Sequence, residues 1–295
     1  MEPIGTSHVS PGAARAARIE DLAGVSATML VTLAAKALAA TDAPELGYVD
    51  RRSEQILCEL EIEPRRFGLN PNEVRAIVLR SIWFGQTVGS FFERHPNGLC
   101  INLGCGLDAS LEESSASDDS RFMRVDVDLP EVIDLRRRFF AESPCHQLLA
   151  ADITDPQLFD ALPWDPGRPA IVVAEGLLYF LRREQVESMF RALAQAADAR
   201  RANVEIAFDY ASPFGAWIVA RRPAHRQLGT TFYWTLHNPG DLRRVDPRLE
   251  VVEHSNVFLQ AMGSGAKQVD AFYRLMTGSG LGGCVRLCRT ATHRI

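Results

Sequence analysis

The sequence predicts an α/β protein: a Rossmann-like, doubly wound, mostly parallel sheet preceded by an N-terminal helical cap. Three observations predict it. From Leu99 onward, short apolar runs alternate with amphipathic stretches, the pattern of βαβ units. The first run, 99–103, ends in Gly104-Cys105-Gly106, two glycines that let the backbone turn tightly and approach a ligand with no Cβ in the way. Acids stand just past the next three runs, at Asp128, Asp152 and Glu175. In an open α/β sheet the carboxyl ends of the strands are where ligands bind.

Residues 1–20 mix Gly, Pro, Ser and Ala without apolar period and read as a mobile tail. Residues 22–40 carry Val25, Met29, Leu30, Leu33 and Leu38 in an Ala-rich run, which reads as a helix. A second helix covers about 50–60 and is interrupted by Pro64. Asn70-Pro71-Asn72 opens a third that runs to about 94 on Val74, Ile77, Val78, Ile82, Val88 and Phe91; Pro96-Asn97-Gly98 closes it. Residues 21–97 are therefore the cap and 98–295 the core. Residues 109–120, crowded with Ser, Asp and Glu, read as a solvent-facing loop with room for one helical turn. Strands are expected at 122–127, 146–151, 170–174 and 204–208. Pro130 opens a helix at a favoured first-turn position. Another helix spans 183–198, where Val186, Met189, Phe190 and Leu193 fall at i, i+3, i+4 and i+7. Residues 213–246, with Trp217, His225, Phe232, Tyr233, Trp234 and His237, are irregular and form a substrate-side insertion. Strands at 249–252 and 284–288 add an antiparallel edge.

A chain of 295 residues buries roughly 75% of its unfolded surface, enough for a full core. The net charge of -5 argues against a nucleic-acid partner; Arg136-Arg137-Arg138 and Arg221-Arg222 read as solvated helix faces. Six cysteines without a CxxC pair predict no zinc ribbon and a reduced, cytoplasmic protein. No metal site, signal peptide or membrane span is expected.

The acids and glycines have a common chemical use. A carboxylate such as Asp128 can accept both hydroxyls of a ribose, each charged hydrogen bond contributing about 1.5–3 kcal/mol. Asp152 beside Ile153 offers an acceptor for an adenine amine and an apolar wall for its ring. Glu175 matches positive charge. Residues 104–109 also satisfy the dinucleotide fingerprint G-x-G-x-x-G/A. There a pyrophosphate would meet a helix N-terminus. Asp108, Glu112, Glu113, Asp118 and Asp119 stand there instead, each repelling phosphate by roughly 1 kcal/mol per close exposed pair in water. A cationic, phosphate-free nucleoside tolerates them.

On these residues the sequence resembles the leucine carboxyl methyltransferase family, in its branch of tetracenomycin-type polyketide O-methyltransferases. The motifs that carry the resemblance are Gly24-Val25-Ser26-Ala27-Thr28-Met29-Leu30, Leu103-Gly104-Cys105-Gly106-Leu107-Asp108, Ala151-Asp152-Ile153 and Ala174-Glu175-Gly176-Leu177-Leu178-Tyr179-Phe180. Val127-Asp128-Leu129-Pro130-Glu131-Val132-Ile133 is the most specific. The resemblance implies a class I methyltransferase. S-adenosylmethionine would lie among Gly104, Gly106, Asp128, Asp152, Ile153 and Glu175, with Arg80 on the cofactor carboxylate. The acceptor it implies is a hydroxyl or carboxyl of a small, aromatic or polyketide-like molecule. The chain departs from the family at Ala109, where Thr is frequent, and at Lys36, where Arg is usual. An NAD(P)-dependent oxidoreductase and a non-catalytic binding protein on the same fold are the competing readings. A carboxylate acceptor needs no base, whereas a phenol, with pKa about 10, would gain from one. His225 and His237 stand in the irregular segment and neither is singled out. Tyr179 and the aromatics of 217–234 are expected in the core.

Overall fold

The computed structural model describes residues 27–113, 122–262 and 264–291. The expected tail at 1–20 and the start of the first helix at 22–26 lie outside them.

The chain opens with helices α1 (Thr28–Asp42), α2 (Arg51–Glu59) and α3 (Pro71–Arg94). Asn70 starts α3 with a capping box: its side chain accepts from the Asn72 and Glu73 N–H groups, and the Glu73 carboxylate accepts from the Asn70 N–H. Pro71 sits at the first helical position, where no N–H is needed. The strands are β1 (Leu99–Leu103), β2 (Met123–Asp128), β3 (His146–Ala150), β4 (Ala170–Ala174), β5 (Val204–Ala211), β6 (Leu249–Ser255) and β7 (Gly282–Arg289), in the order β3-β2-β1-β4-β5-β7-β6. Strands β3, β2, β1, β4 and β5 pair in parallel. The last two strands add the expected antiparallel edge: β7 runs opposite to the other strands and lies between β5 and the outer strand β6.

Alternation along the strands puts apolar residues on both faces. Leu99, Ile101, Leu103 and Val172 pack with Val186, Met189, Phe190 and Leu193 of the helix Arg183–Arg200. Cys100, Ile171, Val173, Ala207 and Cys284 face Phe84, Val88, Phe91 and Phe92 of α3. Thus α3, although it precedes the first strand, forms a layer over the sheet. Helix α1 packs with Leu107 and Ala109 of the glycine turn and with Val132 and Leu135 of the helix Pro130–Arg136. Residues 114–120 of the expected loop lie outside the described residues, and its first part is not solvent-facing throughout. Ala109 and Leu111 are buried, and Ser110–Glu113 is one helical turn.

The irregular segment contains the short helices Pro213–Val219 and Pro223–Leu228. Two further helices, Val257–Ala261 and Ser264–Thr277, fill the stretch between the last two strands, where no element was expected. No helix among the described residues is long and apolar enough to cross a membrane.

Candidate functional site

A cavity of about 390 Å³ opens at the carboxyl ends of β1, β2 and β4. Arg80, Gly104, Gly106, Asp128, Asp152, Ile153 and Glu175 all line it. Residues drawn from α3 and from four separate connections thus meet in one place, because parallel strands present the same end to the same edge.

The glycine turn forms the floor. Gly104 and Gly106 have φ of 64° and 51°, the left-handed region that other L-residues rarely enter. The Gly104 N–H donates to Val127 O at 2.8 Å. Asp128, the last residue of β2, closes the turn: Oδ2 accepts from the Gly106 N–H and Oδ1 from the Leu129 N–H, both at 2.8 Å. Burial pushes its carboxyl up, and the two N–H bonds oppose that. Its remaining lone pairs are free for hydroxyl donors. Asp152 is exposed, and its Oδ1 accepts from the backbone and hydroxyl of Thr154. Ile153 beside it is buried.

Glu175, just past β4, faces a buried arginine. Arg80 Nε donates to Glu175 Oε1 at 3.1 Å, and Arg80 Nη1 donates to Asp209 Oδ2 at 3.2 Å. Ser81 Oγ also donates to Glu175 Oε1. Burial raises the Glu175 pKa, against the pull of Arg80. Asp209 escaped the sequence reading because a charged residue after Phe208 reads as a strand end. The strand continues to Ala211, since β7 pairs with it along its whole length. Asp209 there also accepts from the Gly176 N–H at 2.6 Å and from the Tyr179 hydroxyl. Tyr179 lines the cavity with Phe180 rather than lying in the core. Burial raises its phenol pKa, and Asp209 adds to that.

Two acid and arginine positions differ from expectation. Asp108, read as free negative charge on an exposed loop, pairs with buried Lys36 and accepts from Ser110. Burial opposes ionisation, but the Lys36 charge outweighs it and holds the carboxyl low. Phosphate would therefore meet one repelling charge fewer than expected. What disfavours it is the backbone: the Gly106 and Ser110 N–H groups, which a pyrophosphate would need, are held by Asp128 and Asp108. Arg136, read as part of a solvated face, is 1% exposed, whereas Arg137 and Arg138 are exposed as expected. One turn of helix carries Arg136 to the inner face.

The rest of the wall is mostly apolar: Met29, Leu33, Ile77, Leu129, Leu177 and Phe180. Of residues 213–246 only His225 lines the cavity. Trp217 and Tyr233 are exposed, Trp234 is buried in the main core, and His237 is exposed. Phe232 lies edge-on to Tyr179 at 4.9 Å and stacks on Phe180 at 5.4 Å. Thr230 Oγ1 lies 3.1 Å from His225 Nδ1 and donates to His225 O. Burial, then the Arg80 charge, lower the imidazole to about 4, so it is neutral at pH 7.

The donor set fits S-adenosylmethionine. It offers carboxylates for hydroxyls and positive charge, one arginine with Nη2 unbonded among the described residues, an apolar wall and no phosphate cradle. Among the described residues, no group of three or more His, Cys, Asp and Glu is placed to hold a metal ion.

The sequence pattern of the leucine carboxyl methyltransferase family matches residues 25–194. The tetracenomycin polyketide synthesis O-methyltransferase TcmP of Streptomyces glaucescens is 29% identical over 250 residues, covering 84% of this chain and 89% of that protein. An S-adenosyl-L-methionine-dependent methyltransferase, dpfgK, of Gibberella zeae is 27% identical over 250 residues, covering 79% and 82%. A solved DUF574 family protein from Streptomyces avermitilis superposes with a TM-score of 0.51 at 18% identity, over 82% of this chain and 92% of that one. That similarity concerns the fold.

Proposed function

The chain belongs to the leucine carboxyl methyltransferase family and is a methyltransferase that uses S-adenosylmethionine; from that premise we propose that its acceptor is an oxygen of a small, flat, mostly apolar molecule. The observation that carries the cofactor's placement is the set of three carboxylates, Asp128, Asp152 and Glu175, around one glycine turn and one cavity. The observation that supports the acceptor is the composition of the remaining wall, which is largely apolar, with Thr28, Thr32, Asn102, Gln185, Tyr179 and His225 among its polar residues. A void of this size suits a small molecule.

S-adenosylmethionine, when bound, supplies an electrophilic methyl group carried on a sulfonium. The protein's part is positioning, which in well-oriented intramolecular reactions is worth effective molarities of about 10⁵–10⁸ M. Asp128, fixed by two backbone N–H groups, holds the ribose hydroxyls. Asp152 and Ile153 receive the adenine. Arg80 holds the amino-acid carboxylate through Nη2, and Glu175 faces the adjacent positive charge. Met29, Leu33, Ile77 and Phe180 exclude water from the acceptor. His225, a neutral imidazole on the cavity wall, accepts a hydrogen bond from an acceptor hydroxyl.

Calorimetric titration with S-adenosylhomocysteine tests the site. Wild-type protein binds in the micromolar range, and the Asp128→Ala variant, shown to be folded, loses that binding. Equal binding by both proteins moves the cofactor away from Asp128. Methyl transfer is then measured on phenols, aromatic carboxylic acids and polar non-aromatic acceptors. Turnover confined to the last group overturns the flat, apolar acceptor.

A further inference from the structure

The glycine turn is held from two sides. In front, Asp128 takes the Gly106 N–H. Behind, Arg136 Nη1 donates to both Gly106 O and Asp108 O at 2.9 Å. Its Nη2 donates to Asp126 Oδ2 at 2.7 Å. The guanidinium lies 4.0 Å from the centre of the Phe140 ring. Asp126 is fully buried on β2 and is itself fixed by Asn102 at 3.0 Å, His146 at 2.7 Å and Arg124 at 3.3 Å.

We propose that Arg136 is a positioning residue for the methyl-donor site: a buried fork that fixes the two carbonyls of the glycine turn and so aims the Gly106 N–H and the Asp128 carboxylate. The proposal rests on reading that turn as the cofactor site. Its physical basis is geometric. The orientation of a peptide is set by what holds its N–H and its C=O, and Gly106 has no side chain to assist. Asp128 and Arg136 hold opposite ends of that residue. Asp126 and Asp128 lie two residues apart on the same strand, so the anchor of Arg136 and the ribose acid share one rigid element. A planar guanidinium can serve two carbonyls and a carboxylate at once; an ammonium of the same charge has no fixed fork.

Arg136→Lys and Arg136→Met are compared with Arg289→Met, by titration with S-adenosylhomocysteine and by thermal unfolding. Arg289 is an equally buried arginine on β7 that pairs with Asp246 and Asp198 and does not line the cavity. Arg136→Lys keeps a charge beside Asp126 but loses the fork. It is expected to fold and to bind S-adenosylhomocysteine roughly tenfold or more weakly, the scale seen when residues supporting a site are removed. Arg289→Met lowers the unfolding temperature while its affinity stays within about twofold of wild type. Wild-type affinity in either folded Arg136 variant overturns the proposal.

A measurement on wild-type protein keeps the test open if both Arg136 variants fail to fold. S-adenosylhomocysteine is expected to slow amide exchange at 104–110 and at 132–140 together; slowing at the turn alone overturns the proposal. Wild-type protein that does not bind S-adenosylhomocysteine overturns the site reading, and the role of Arg136 with it.

Discussion

Gly104 and Gly106 both have positive φ, yet they are not equivalent. A Cβ at Gly104 would meet the flexible end of Leu177, 2.8 Å from Cδ1; at Gly106 it would meet Met29 Cβ at 2.9 Å. Leu177 can rotate away, whereas a Cβ moves only with its helix. The left-handed conformation itself costs an alanine about 1–2 kcal/mol. Gly106→Ala should therefore lose more stability than Gly104→Ala and should weaken S-adenosylhomocysteine binding more. Denaturant unfolding and calorimetry of the two variants check this, and equal losses would mean that α1 gives way easily. The acids illustrate what single residues disclose. Asp128, Asp152 and Glu175 were legible because each follows an apolar run. Arg80 was found through resemblance. Asp209 and Lys36 were not legible as site neighbours, since their partners, Arg80 and Asp108, are 129 and 72 residues away. Arg136 was misread because three arginines in a row carry no mark of which one turns inward.

Among the elements, α3 matters most to the site, for it covers one sheet face and presents Arg80 and Ser81 to Glu175. Its start is well defined by the Asn70 and Glu73 capping box. Asn70→Ala should cost about 1 kcal/mol, read as a lower denaturant midpoint at unchanged slope. A change in slope would point instead to a partly unfolded native state. The boundaries of α3, β1 and β4 were legible because their signals are local: a cap, a proline, an unbroken apolar run. The length of β5 was not, because it is set by pairing with β7, a strand more than 70 residues later. Helix Ser264–Thr277 was legible and passed over: Val269, Phe272, Tyr273 and Met276 fall at i, i+3, i+4 and i+7, the spacing of an amphipathic helix, although Phe272, Leu275 and Met276 are exposed in the fold.

Over the whole molecule, stability must depend on pH through imidazoles held neutral. Burial lowers His225 from 6.5 to about 4, and burial also lowers His254. Between those values the unfolded chain binds more protons than the folded one, so this contribution is complete above pH 6.5 and is lost as pH falls toward 4. Glu175 and Asp128, whose pKa values are raised, pull the other way. Comparing His225→Gln with wild type cancels them. The variant should lose less stability than wild type from pH 7 to pH 4.5, measured as the unfolding midpoint at several pH values. Parallel curves would mean that His225 is as open to water when folded as when unfolded.

The position of β7 has a consequence for how the protein is made. In the sheet, strand β5 and outer strand β6 are joined by β7, which the chain delivers after both. On the ribosome, residues 204–255 therefore wait for 282–289 to emerge before the sheet can close. Until then β5, which bears Asp209, keeps an open edge ready to pair with another chain. Crowded nascent chains are the setting in which that wait is most hazardous, and a chaperone that shields the edge of β5 would act on the interval between those two segments.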